Sequence, residues 1–140
     1  MSDIYSSDER LFNYAVEQVI KQGKPAMRPN GMCAYTMQDS NGNTLRCAAG
    51  WLLKDEHLAL NLAGGIEGIM QDYHDIGAYL GHTTARAHLV LKLQGAHDDA
   101  ALDTAHSGTD EAFVLRFREL ARRIAYLNGW EWKHAAPAST

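Results

Sequence analysis

The sequence predicts an α+β fold that is mainly a helical bundle, with one antiparallel β-hairpin at about residues 32–47. Three observations predict it. Apolar residues recur at helical spacing in several long stretches, the dipeptide Asn41-Gly42 sits between two short runs of strand character, and no other stretch reads as a strand. At 140 residues the chain is long enough to bury one core without disulfide or metal staples. Residues 1–133 are therefore expected to form a single domain and residues 134–140 a flexible C-terminal tail.

The first helix opens at Ser6-Ser7-Asp8-Glu9, where Ser6 and Glu9 have the spacing of a capping box. Leu11, Phe12, Ala15, Val16, Val19 and Ile20 then share one helical face, and Gly23 followed by Pro25 stops the helix. Strands are expected over Met32–Met37 and Thr44–Cys47. If Asn41 and Gly42 are the two central residues of a tight turn, Thr36 lies opposite Cys47. Two strands alone are marginal in water, so the hairpin must rest on helices.

Ala48–Leu53 reads as a short helix beginning just after Cys47. Ile66, Ile69, Met70, Tyr73 and Ile76 form a second helical stripe that Gly77 weakens and Gly81 ends. Thr83 caps a third helix reaching about Ala101. Its apolar residues cover more than one face, as expected of the most buried helix. Thr109 or Ser107 caps the last helix, whose inward stripe is Phe113, Val114, Phe117, Leu120, Ala121, Ile124 and Leu127. Asn128-Gly129 ends it, and Trp130-Glu131-Trp132 follows.

A net charge of −4 argues against a dedicated nucleic-acid binder, which carries a basic excess. No apolar run approaches the roughly 20 residues of a membrane-spanning helix, and Met1-Ser2-Asp3-Ile4 has no leader character. A cytoplasmic location without membrane partners is expected, where both cysteines stay reduced. There is no phosphate loop, Gly-x-Gly-x-x-Gly, Gly-x-Ser-x-Gly or His-Glu-x-x-His, so no cofactor and no metal centre are expected.

Three groups of residues could carry function. Cys47 stands where a strand hands over to a helix, a position that favours the thiolate. A nucleophilic Cys47 would need His97, beside Asp98, as its base; the competing reading is a small buried residue. Pairing of Cys33 with Cys47 would need a longer loop or a bulge. Second, the order His57, His74-Asp75, Asp98 resembles the ligand order of helical metal-dependent phosphohydrolases of the His-Asp type. His82, His97-Asp98 and Asp103 give a competing assignment, and solvated polar residues account for both. Third, Arg116, Arg118, Arg122 and Arg123 crowd the last helix ahead of Trp130 and Trp132. That combination suits a macromolecular partner, or else forms a solvated face with Glu119 pairing to Arg122 or Arg123.

Several pieces between Met32 and Asp98 resemble small proteins encoded by bacteriophages and prophages. Those proteins carry a Cys-x-Tyr strand, a glycine turn, (Arg/Lys)-Cys-Ala-x-Gly-x-Leu, an acidic pair and a downstream Leu-Gln-x-x-His-Asp. The corresponding residues here are Cys33-Ala34-Tyr35, Gly42, Arg46-Cys47-Ala48-Ala49-Gly50-Trp51-Leu52, Asp55-Glu56 and Leu93-Gln94-Gly95-Ala96-His97-Asp98. The resemblance implies a mobile-element accessory protein that binds a host or phage protein, such as a component of a host defence complex, in the host cytoplasm. It also marks Cys33, Cys47, His97 and Asp98 as a candidate cluster. The alternative expectation is a small hydrolase, using either Cys47 with His97 or a His-Asp metal site. Nucleic-acid binding by the last helix is the less favoured reading.

Overall fold

The computed structural model describes residues 3–28, 34–60, 62–105 and 108–135. The fold is α+β and mainly helical, with one two-stranded antiparallel hairpin among the described residues. A single 3-10 turn, Ile4–Ser6, leads into α1 (Asp8–Gln22). Ser7, one residue later than the capping-box spacing indicates, caps α1 by accepting the Arg10 N–H. Gly23 closes it in the left-handed conformation. Leu11, Phe12, Ala15, Val16 and Val19 are buried as the spacing predicts.

β1 (Met37–Gln38) and β2 (Thr44–Leu45) pair with Met37 opposite Leu45 and Gln38 opposite Thr44. The strands are shorter than the sequence indicates, and Met32 and Cys33 lie outside the described residues. The register also differs by one residue, which sets Tyr35 rather than Thr36 in line with Cys47. The cause is a three-residue loop. Asp39 Oδ1 accepts the backbone N–H groups of both Asn41 and Asn43 at 2.9 Å, Gly42 donates to the Asp39 carbonyl, and Gly42 takes φ 80°. This is a turn followed by a left-handed residue, not a two-residue turn. The same backbone donors, with Asn43 first, hold the Asp39 carboxyl below its ordinary value.

Cys47 occupies the N-cap position of α2 (Ala48–Leu52) without a side-chain capping bond, and α3 (Asp55–Leu58) follows. The hairpin rests on α2 through Gly50, where any Cβ would collide with the Tyr35 carbonyl. The single helix expected from Ile66 onward is two, α4 (Ile66–Asp72) and α5 (His74–Leu80), broken at Tyr73 with φ −110° and ψ 93°. The Tyr73 N–H still closes on Ile69 O. Gly77 then lets α5 turn back against α4, because a Cβ there would lie 2.5 Å from Met70 O.

α6 (Thr84–Asp103), capped by Thr83, is the central helix and touches α1, α2, α4, α5 and α7. Leu89, Val90, Leu93, Ala96 and Ala100 are buried around it. Arg86 is buried too. Its Nε donates to Asp8 Oδ1 at 2.8 Å, and its Nη1 donates to the Tyr5 and Tyr79 carbonyls at 2.9 and 3.2 Å, so the guanidinium pins the N-terminal turn to α5. α7 (Asp110–Leu127) starts at its Thr109 cap and buries Phe113, Phe117, Ala121, Ile124 and Ala125 against α6. Ser107 lies outside the described residues. Leu127, expected on the inward stripe, is 72% exposed, because the buried row runs through Phe117, Ala121 and Ile124 toward the Asn128 cap. Among the described residues no helix is long and apolar enough to cross a membrane.

Candidate functional site

Two places draw together the residues that the sequence singles out. The first is the Leu-Gln-x-x-His-Asp segment of α6. His97 is fully buried. Its Nε2 lies 3.2 Å from the Ala26 amide, and a backbone N–H can only donate, so Nε2 is the acceptor. The ring proton therefore sits on Nδ1 and is donated to Asp98 Oδ1 at 2.9 Å. Gln94 Nε2 donates to the same Asp98 oxygen at 2.8 Å, while Gln94 Oε1 accepts the Ala49 N–H at 2.8 Å.

That last bond satisfies one of the orphan donors at the start of α2. On the other side, Ala26 O accepts from Ala34 N–H and Ala34 O from Cys47 N–H. Gln22 closes the arrangement: its amide accepts from Arg46 N–H at 2.8 Å and donates to Arg46 O at 3.0 Å, imitating a strand partner. Gln94, His97 and Asp98 thus form a polar clamp that ties α6 to α2 and to the chain leaving α1. Both ring nitrogens of His97 are engaged within the protein.

Cys47 occupies the helix start where the sequence places it, fully buried, with α2 only five residues long behind it. So short a helix adds little dipole to a thiolate. Cys33 lies outside the described residues. The histidines and aspartates of the two metal readings are dispersed. His57 Nδ1 meets Tyr79 OH at 2.7 Å, Asp103 pairs with Arg116 at 2.9 Å, and His74, Asp75 and His82 are exposed. Among the described residues no three His, Cys, Asp or Glu side chains converge to hold a metal ion.

The second place is the outer face of α7. Arg116 is held by Asp103 and by Glu119 at 3.0 Å, and Arg118 Nε donates to the His134 carbonyl at 3.1 Å. Arg122 and Arg123 are exposed and form no ion pair among the described residues. With Glu119, Tyr126 and Leu127 they line a groove of about 500 Å³. Tyr126 is 83% exposed and Leu115, on the same side of the helix, 57%.

Trp130 and Trp132 take a different role, both half-buried against the core. Trp130 lies on Phe12 with ring centroids 5.3 Å apart, and Trp132 meets His134 edge-on at 5.2 Å. His134 is itself bonded to Asn13 Oδ1 at 2.8 Å, and its burial holds the imidazole below its ordinary value. Residues 136–140 lie outside the described residues. Sequence reasoning missed Leu115, Tyr126 and Leu127 as surface residues. The available signal was that Leu115 and Tyr126 are apolar side chains off the inward stripe.

Comparison with known proteins finds no matching family model, no matching curated protein and no matching solved structure.

Proposed function

We propose that this is a small accessory protein that acts by binding a macromolecular partner on the outer face of α7. One observation carries the reading. Two arginines without an ion-pair partner among the described residues stand beside a highly exposed tyrosine and leucine, over a groove of about 500 Å³. Arginine and tyrosine are the side chains most often found at the energetic centre of protein interfaces, and an apolar patch with a polar rim marks an interaction surface. The resemblance to phage-encoded proteins supplies the setting: a protein partner in the host cytoplasm, such as a component of a defence complex, which the bound protein would block.

The test is capture of the partner from host lysate by wild-type protein and by Tyr126→Ala/Leu127→Ala. Capture by the wild type that is lost with the double variant supports the reading. Equal capture by both overturns it.

A further inference from the structure

We propose that the occupant of the α7 face is an amphipathic helix of a partner protein, acidic at its centre and apolar at its ends. The inference rests on the docking reading above and adds the chemistry and shape of the partner. Leu115, Glu119, Arg122 and Tyr126 are spaced by four, three and four residues along the exposed side of α7. That spacing is the one by which a helix presents a seam to another helix lying along it. Along the seam Leu115 is apolar, Glu119 is held by Arg116 of this chain, Arg122 and Arg123 are cations without an ion pair among the described residues, and Tyr126 and Leu127 are exposed apolar surface again. A complementary helix is therefore anionic in the middle and apolar at both ends.

The same charges argue against the other occupants. Glu119 and Asp103 are already engaged by Arg116. A second copy of this chain could answer Arg122 only with its exposed Glu111 in an antiparallel pairing, and that register would leave Tyr126 and Leu127 beyond the start of the copy's α7 at Asp110 and uncovered. A nucleic acid would leave Leu115 and Leu127 uncovered and would meet a chain of net charge −4.

The experiment uses the full-length protein and two synthetic helical peptides of about twenty residues, with the same leucines at both ends and either glutamates or lysines at the centre. Fluorescence anisotropy reads binding, and sedimentation of the protein alone reads self-association. The glutamate peptide is expected to bind about tenfold more tightly than the lysine peptide. Arg122→Glu/Arg123→Glu should reverse the order, and Tyr126→Ala/Leu127→Ala should weaken both peptides.

Failure of the glutamate peptide to bind, equal binding of the two peptides, or a glutamate preference that survives the arginine reversal overturns the inference. So does an α7-dependent dimer that the arginine reversal abolishes. Capture from lysate that needs Tyr126 and Leu127 but shows no acidic preference overturns only the chemistry proposed here. Capture that ignores those two residues overturns the docking reading itself.

Discussion

Replacing His97 by phenylalanine keeps a ring of similar size in the same buried site, beside Phe113, whose centroid lies 5.6 Å away. What changes is polar. The Ala26 N–H loses its acceptor in the core, and Asp98 loses one of its two donors. A buried amide left without a partner costs about 1–3 kcal/mol. Asp98 is partly solvent-facing, with 35% of its side chain exposed, and can turn to water, so its share is smaller. The expected destabilisation is about 2–3 kcal/mol, which lowers the melting temperature of a domain this size by about 5–10 °C.

Asp98→Asn keeps an acceptor oxygen for both His97 and Gln94 and should cost under about 1 kcal/mol. Urea unfolding followed by circular dichroism measures all of these. Gln94→Leu combined with His97→Phe should be non-additive, because both side chains donate to one Asp98 oxygen. A His97→Phe protein within about 0.5 kcal/mol of wild type would refute the clamp and return His97 to the list of residues kept for chemistry.

Two further outcomes follow from the fold. Gly50→Ala forces a methyl group into the Tyr35 carbonyl, which is backbone and cannot swing away. It should cost at least about 2 kcal/mol by the same unfolding assay, and equal stability would mean that the hairpin does not rest on α2. Burial lowers the His134 value from 6.5, so the unfolded chain takes up this proton first as the pH falls. Its contribution is thus intact above about 6.5 and declines as the pH drops from there toward the folded value. The urea midpoint should fall less between pH 7.5 and 5.5 in His134→Gln than in wild type; identical slopes would count against this.

Local signals carried most of the fold. The face of α1, its Gly23 stop, the helix start after Cys47, the Thr83 and Thr109 caps and the central position of α6 were all legible, because each depends on residues within a turn or two of one another. The hairpin register was not, since the Asp39 carboxylate decided between two- and three-residue loops that Asn41-Gly42 alone leaves open. The break at Tyr73 was hidden because its flanking apolar residues keep helical spacing across it. What permits the fold-back is the close approach of Gly77 to Met70, a tertiary contact. The burial of Arg86 depends on carbonyls from Tyr5 and Tyr79 that the sequence does not place together.

The candidate site was legible in its residues and less so in their roles. His97 and Asp98 were singled out as a candidate pair and Gln94 only as part of the Leu-Gln-x-x-His-Asp segment, but only the fold shows that Gln94 and His97 answer the amides of Ala49 and Ala26. Arg122 and Arg123 were visible as charge. Tyr126 and Leu127 beside them became visible only once the inward row of α7 was fixed by Phe113, Phe117, Ala121 and Ile124.

The most direct measurement places a photo-crosslinking amino acid at position 126, and in a second protein at the exposed Glu67 on α4, and irradiates each with host lysate. A discrete adduct from position 126 and none from position 67 is predicted. An adduct from position 67 alone would contradict the assignment of partner binding to α7.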